Sequence, residues 1–193
     1  EFKNGAKLVN KIWNASKFVL SFLEGYEPKQ TRLLPMDEWI IAKFNQMQKY
    51  FIAYFEKYEI GLAMAELERF FWNFCDNYIE IAKNRLYKPE IYGESAKASA
   101  QFASFNVLKE MLKMFAIYLP HITEEIYQAY FRAFEKKVSI HNTELAEISV
   151  KTPENIIENG DAVCEIVSAL RRYKSENNLS LKEEVERLTL QGY

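Results

Sequence analysis

Residues 10–20 read NKIWNASKFVL, and two asparagines one helical turn apart interrupt an otherwise favourable helix. Asn10 and Asn14 are poor residues for a helix interior, because their amides compete for backbone hydrogen bonds. The apolar residues of the surrounding segment follow steps of four and three, which is the spacing of one helical face: Leu8, Ile12, Ala15, Val19 and Phe22. This pattern predicts a helix over residues 3–23 whose core face excludes both asparagines.

The opposite face of the predicted helix carries a continuous polar stripe. Its members also follow steps of four and three, with Lys11 beside them: Lys3, Lys7, Asn10, Asn14, Lys17 and Ser21. Residues 1–34 have a net charge of +3, although the whole chain has a net charge of −2. Lysines attract phosphates, and amides both donate and accept as reading a base edge requires. The stripe is typical of an RNA-binding surface, but a solvated helix face has the same pattern.

The remaining sequence predicts long helices with short connections. Only six glycines and five prolines occur among 193 residues, and 49% of the residues are hydrophobic. After a loop at residues 24–35, helices are predicted at residues 37–58, 61–86, 94–119, 123–134 and 153–177. Asp37 and Thr123 are the expected N-caps of two of them. Successive long helices with short loops predict an all-α, up-and-down helix bundle.

Two parts are expected in the chain. Residues 1–150 are predicted to form the helix bundle, and residues 151–193 a linker helix followed by the first strand of a small α/β appendage. The strand is predicted from the alternation of Val185, Leu188 and Leu190. Both ends of the sequence look cut from a longer protein.

Few residues suit catalysis or metal binding. The glycines are isolated, so no phosphate-binding loop is predicted, and the two histidines lack the Glu-x-x-His pairing of a di-iron bundle. Cys75 and Cys164 fall on apolar helical patterns and are expected to be reduced core thiols, which fits the cytoplasm. No window is apolar enough to predict a membrane span.

Five ordered segments resemble one family. GAKLVNKIWNASKFVL (5–20) resembles the helix that opens the anticodon-binding domain of class I aminoacyl-tRNA synthetases, specifically the valyl-tRNA synthetases. Four further segments agree with that family in the same order: MDEWIIAKF (36–44), FFWNFCDNYIEIAKNRLY (70–87), LPHITEEIYQ (119–128) and SALRRYKSENNLSLK (168–182). The resemblance covers nearly the whole chain.

The sequence departs from the family pattern at several positions. Many relatives have His-Pro where this chain has Ala116-Ile117, and Phe where it has His121, so these variants look like the archaeal branch. Leu145-Ala146 lies near the position where relatives of that family usually have Trp-Pro. The isoleucyl enzymes share much of the pattern and are one alternative. A helical protein-interaction scaffold without RNA binding is the other.

The resemblance implies that the full protein joins valine to tRNA(Val), using ATP and Mg²⁺ on a Rossmann-fold catalytic domain that also has an editing domain. The HIGH and KMSKS signatures of that domain are absent from these residues. We therefore expect no catalytic residue, no metal ligand and no cofactor in this chain. Its expected partners are the anticodon stem-loop of tRNA(Val) and the catalytic domain of the same polypeptide. It is expected to be monomeric and to have no membrane contact.

Eight residues are candidates for contact with the tRNA: Asn10, Asn14, Lys17, Lys11, Lys7, Tyr26, Lys29 and Arg32. The first three lie on both the family motif and the polar stripe, although an asparagine amide can instead cap a neighbouring loop. Lys7 and Lys11 are candidates for phosphates or are simply solvated. The last three lie in the following loop, where the family also approaches the anticodon. The FFWNFC segment has helical spacing and is expected to be core.

Overall fold

The computed structural model describes residues 2–29 and 31–190, with side chains from residue 5 onward. Four helices are long: α1 (Phe2–Ser21), α2 (Pro35–Glu56), α6 (Glu94–Phe115) and α9 (Ile156–Glu176). The shorter ones are α3 (Ile60–Asn73), α4 (Ile79–Tyr87), α5 (Pro89–Tyr92), α7 (Pro120–Ile126) and α8 (Arg132–Glu135). The described residues contain no strand, and the predicted all-α bundle is confirmed.

Helix α6 forms the centre of the bundle. Helices α1, α2, α3, α4 and α7 all contact it. It is buried on most sides, and its interior residues Ala100, Ala103, Val107 and Met114 are fully inaccessible to solvent. Because most of its residues are removed from water, the other helices are arranged around α6.

A π-helical turn at Phe74–Tyr78 joins α3 to α4 into one continuous helical element. The phenylalanines and Tyr78 of this segment lie inside, with Phe74 and Tyr78 at 0% exposure and stacked at 5.6 Å between ring centroids. The predicted core position is confirmed for Phe70, Phe71, Phe74 and Tyr78, whereas Trp72 is half-buried at the edge of the bundle. A second π-helical turn, Tyr127–Phe131, joins α7 to α8 in the same way.

Both predicted N-caps are wrong. Helix α2 begins at Pro35, two residues before Asp37, and the carboxylate of Asp37 is fully buried. Helix α7 begins at Pro120, and the hydroxyl of Thr123 donates back to the carbonyl oxygens of Leu119 and Pro120. In each case proline occupies the first helical turn, where its missing N–H and fixed φ are favourable. Proline, rather than the polar residue behind it, starts the helix.

The irregular segment at residues 143–150 is tied to two helices by its backbone. The amide of Asn45 on α2 both donates to the carbonyl of Ile148 and accepts from its N–H, at 2.9 and 3.1 Å. On the other side, Glu110 of α6 accepts from the N–H of Ala146 at 3.0 Å, and Lys113 donates to the carbonyl of Glu144 at 2.9 Å. These bonds satisfy backbone groups of a segment that pairs with no strand among the described residues.

The chain divides into two compact units between Ile157 and Glu158, in the first turn of α9. In the second unit, the described residues after α9 form turns and irregular chain through Leu190. The strand predicted around Val185, Leu188 and Leu190 is therefore wrong for these residues, since no described segment pairs with it. Residues 191–193 lie outside the described residues.

Candidate nucleic-acid interface

The polar stripe of α1 is a solvent-exposed surface. Lys7, Asn10, Asn14 and Lys17 are all exposed, whereas Ile12 on the opposite face is 1% exposed. The periodicity of the sequence thus separated the two faces correctly. The side chain of Lys3, which begins the stripe in the sequence, lies outside the described side chains.

Neither Asn10 nor Asn14 uses its amide within the part of the chain that the structure describes. Both side chains are exposed, and neither forms a hydrogen bond to a described residue. The alternative that they cap a neighbouring loop has no support among these residues. Two amides with free donors and acceptors lie one helical turn apart on the surface, about 6 Å from one another along the helix axis.

The lysines of the stripe differ in their surroundings. Lys11 forms an ion pair with Asp76 at 3.2 Å, and its ammonium lies 5.3 Å from the centroid of the Trp72 ring. Lys17 lies 6.0 Å from the ring centroid of Trp13. Within the described residues, Lys7 and Lys17 form no ion pair, so they retain more of their charge for a ligand than Lys11 does.

An aromatic cluster borders the stripe where α1 meets α4. Phe18 and Phe22 pack edge to face at 5.0 Å, and the ring of Tyr87 at the end of α4 lies 4.6 Å from Phe22 and 6.1 Å from Phe18. Phe18 follows Lys17 directly and lies one turn after Asn14. Tyr87 was not a candidate from the sequence, because only the tertiary packing of α4 brings it beside α1.

The loop after α1 is held at its start. Gln101 donates to the carbonyl of Phe22 at 2.6 Å, and the hydroxyl of Tyr130 donates to the carbonyl of Leu23 at 2.7 Å. The Tyr26 ring lies 5.6 Å from that of Phe105, and burial raises the pKa of the Tyr26 phenol. Tyr26 is half-buried in this packing, so it offers less of its ring to a base than a free surface tyrosine does.

The other two loop candidates, Lys29 and Arg32, are exposed. Lys29 forms an ion pair with Glu27 at 2.8 Å, with both side chains about three-quarters exposed. Arg32 forms no ion pair with a described residue. The structure therefore leaves Arg32 as the loop cation with the least compensated charge.

A buried ionic network fixes the end of this loop against the bundle. The carboxylate of Asp37 accepts two hydrogen bonds from the guanidinium of Arg85, at 2.6 and 2.9 Å, and one from the hydroxyl of Tyr78 at 2.8 Å. Ser99 donates to the same carboxylate and accepts from the N–H of Leu34 at 2.8 Å. Burial alone would lower the pKa of Arg85, but its bonds to Asp37 and the charge of that carboxylate hold the pKa above its ordinary value. The network joins α2, α4 and α6 to the loop.

Cys75 and Cys164 are both thiols with buried side chains, which confirms the predicted core thiols. Burial raises the pKa of Cys75 to about 12, and the charge of Lys11 opposes that shift only in part. Among the described residues no helix is long and apolar enough to cross a membrane.

Comparison with known proteins identifies the class of domain. Residues 37–189 match the family described as the anticodon-binding domain of tRNA ligase. This match covers most of the chain, and the chain belongs to that family.

The curated relatives compared with the chain are valine–tRNA ligases. The chain is 36% identical to the valine–tRNA ligase of Haloarcula marismortui, over 100% of the chain and 20% of that protein. It is also 36% identical to the valine–tRNA ligase of Rickettsia felis, over 98% of the chain and 23% of that protein, and 34% identical to that of Rickettsia rickettsii, over 98% and 24%. The chain thus spans between a fifth and a quarter of the length of these relatives.

Proposed function

We propose that this chain recognises the anticodon stem-loop of tRNA(Val) as the anticodon-binding part of a valine–tRNA ligase. The names of the relatives support the valyl assignment over the isoleucyl one. In the complete protein, a catalytic domain of the same polypeptide would use ATP and Mg²⁺ to attach valine, in a cytoplasmic monomer. This chain contributes binding and positioning of the tRNA, because docking of the anticodon helps to place the distant acceptor end.

The observation that carries the proposal is the exposed row Lys7, Asn10, Asn14 and Lys17, which forms no ion pair and no amide hydrogen bond within the described residues. From Lys7 to Lys17 this row is about 15 Å long. It has a lysine at each end and the two amides between them. Lysines at the ends suit phosphates, and amides in the middle suit the edges of unpaired bases.

The loop after α1 extends this surface. Arg32 is its best candidate for a phosphate, because Lys29 already has a carboxylate partner. Tyr26 contributes packing of the loop against Phe105, which holds the backbone of the loop beside the end of α1. Lys11 has a smaller share in binding, since its charge is compensated by Asp76.

Equilibrium binding tests the proposal. The chain is titrated by fluorescence anisotropy against a tRNA(Val) transcript and against the same transcript with only its anticodon replaced, at several salt concentrations. We expect tighter binding to the valine anticodon, and weaker binding to both transcripts as salt rises, because phosphate contacts release counterions. Equal affinity for the two transcripts at every salt concentration would refute anticodon recognition by this chain.

Two variants separate base contacts from phosphate contacts. Asn14→Ala should reduce the preference for the valine anticodon by about 1–3 kcal/mol, the value of one good side-chain-to-base pair. Lys7→Ala should weaken binding to both transcripts alike and lower the slope of log K against log salt by about 1. Asn142→Ala and Lys57→Ala change exposed residues far along the chain from α1 and are the matched controls. An equal loss for both transcripts on Asn14→Ala would remove Asn14 from the base-reading residues.

A further inference from the structure

Tyr87 is an exposed aromatic residue that lies outside the polar stripe and outside the eight candidate residues of the sequence. The residue is 59% exposed, although its ring packs at 90° against Phe22. An edge-to-face contact of this kind favours one orientation of the ring. A ring that is held in place while the residue stays more than half exposed suits stacking on a base.

The backbone around Tyr87 is fixed as well. The N–H of Lys88 donates to the carbonyl of Asn84, and the N–H groups of Ile91 and Tyr92 both donate to the carbonyl of Lys88. Two residues before Tyr87, Arg85 is anchored to the buried carboxylate of Asp37. Little conformational entropy would therefore be lost when a ligand contacts this ring.

The exposed charges near Tyr87 change sign along the chain. The exposed cation Lys17 directly precedes Phe18, which contacts Tyr87, and Lys88 follows Tyr87 in the sequence. Glu90 and Glu94 then flank the exposed residues Ile91 and Tyr92. A polyanion is attracted to the lysines and repelled by the glutamates.

From these contacts we propose that Tyr87, supported by Phe18 and Phe22, stacks on an unpaired base of the anticodon loop whose edge or neighbouring phosphate is held by Asn14 and Lys17. This inference rests on the proposed function and adds to it a second element, the end of α4. The Tyr87 ring reaches α1 through Phe18, one helical turn from the amide of Asn14, so the same loop can contact both. The RNA surface ends at Tyr87, because acidic residues follow it in the sequence.

A stacking role and a packing role predict different results for three variants. Tyr87→Leu removes the ring and keeps an apolar side chain, Tyr87→Phe keeps the ring, and Tyr92→Leu removes a tyrosine of similar exposure, 48%, between Glu90 and Glu94. Affinity for the tRNA(Val) transcript is measured by anisotropy, and the urea midpoint of each variant is measured by circular dichroism. We expect Tyr87→Leu to weaken binding about 5-fold or more, and Tyr87→Phe and Tyr92→Leu to bind within about 2-fold of the unchanged chain.

Photo-crosslinking supplies a direct readout. A tRNA(Val) transcript with 5-iodouridine at one anticodon-loop position at a time is irradiated with the chain, and the modified peptide is identified by mass spectrometry. A crosslink at Tyr87 from at least one position supports the inference. If crosslinks form elsewhere on α1 and never at Tyr87, the inference is overturned.

The outcomes separate this inference from the proposed function. If the unchanged chain prefers the valine anticodon but Tyr87→Leu binds equally well, the stacking inference fails and the proposed function stands. If Tyr87→Leu and Tyr92→Leu weaken binding equally, or if the loss follows a lower urea midpoint, Tyr87 serves packing and the inference is again overturned. If the unchanged chain shows no anticodon preference, both fail together.

Discussion

The buried carboxylate of Asp37 allows a quantitative test of what holds the loop and α4 in place beside α1. Asp37 is 0% exposed, and its partner Arg85 is 11% exposed. Arg85→Met removes the charge, both hydrogen bonds to Asp37 and a longer one to the carbonyl of Ala96 at 3.4 Å, while keeping an unbranched side chain of comparable length. The carboxylate then retains only the hydroxyls of Tyr78 and Ser99.

Two estimates of the free energy of unfolding lost in Arg85→Met agree. Each hydrogen bond to a charged group contributes about 1.5–3 kcal/mol, so the two bonds from Arg85 account for about 3–6 kcal/mol. Breaking a buried ion pair by removing one partner destabilises proteins by about 3–5 kcal/mol, because the remaining charge is left buried without compensation. We therefore expect Arg85→Met to lower the free energy of unfolding by about 3–5 kcal/mol, a large part of the stability of a typical domain.

The assay is urea unfolding followed by circular dichroism, with a double-mutant cycle through Asp37→Asn. The double variant should lose clearly less free energy of unfolding than the two single variants lose in sum, because it leaves no unpaired charge. Lys49→Met is the matched control, since it removes a cation from an exposed pair, Lys49 and Glu147, at 3.4 Å. That change should cost no more than about 1 kcal/mol.

Two results would refute this reasoning. If Arg85→Met costs no more than Lys49→Met, the Asp37–Arg85 pair behaves as a surface pair despite its burial. If the double variant loses the full sum of the single losses, the two residues do not depend on one another. A change in the urea m-value would show instead that the substitution altered the denatured or native state more broadly.

Two further predictions concern side chains whose pKa is raised by burial. Burial raises the pKa of Tyr130 to about 12, so the folded state holds this proton more tightly than the unfolded chain does, and the resulting stability is complete below about pH 10 and is lost as the pH rises from 10 to 12. Tyr130→Phe should flatten the fall of the urea midpoint in that range, and a difference titration of tyrosinate absorbance that placed Tyr130 near pH 10 would contradict the assignment. Burial also raises the pKa of Cys75 to about 12, so in a Cys164→Ser variant its thiol should react with Ellman's reagent at pH 8 only after urea unfolds the chain. Prompt reaction in the folded state would contradict its burial.

The faces of the long helices could be predicted from the sequence because periodicity is a local property. The steps of four and three placed Leu8, Ile12 and Val19 in the core and Asn10 and Asn14 on the surface, and the structure has them there. The aromatic residues of the FFWNFC segment were assigned to the core on the same grounds. In each case the spacing along one helix determines which side chains share a face.

The starts of the helices were predicted less well than their faces, because two local signals competed. Asp37 and Thr123 have the side chains of N-caps, yet Pro35 and Pro120 begin the helices earlier. The polar residues then face the interior and take partners there. For Asp37 these partners are Arg85 and Ser99, which are 48 and 62 residues away and have no signature near Asp37 in the sequence.

The surroundings of the candidate site could not be predicted from the sequence either, because they come from other helices. The stripe was visible in the sequence as a set of like positions, but the sequence did not show that Asp76 lies beside Lys11 or that Tyr87 packs on Phe22. Both contacts depend on α1 running along the continuous element formed by α3 and α4. They change what the stripe can bind, because one removes effective positive charge and the other adds an aromatic surface.

The arrangement of charge on α1 favours bases over phosphates in the middle of the stripe. Asp76 compensates Lys11, so the positive potential is concentrated at Lys7 and Lys17, the two ends of the row. A phosphate placed at the middle would approach the carboxylate of Asp76, whereas a neutral base edge would meet only the amides of Asn10 and Asn14. Asp76→Asn should therefore strengthen binding to both tRNA transcripts and reduce the preference for the valine anticodon, because it frees Lys11 for phosphates without adding a base contact. Weaker binding to both transcripts would show that the Lys11–Asp76 pair instead orders the surface that the tRNA contacts.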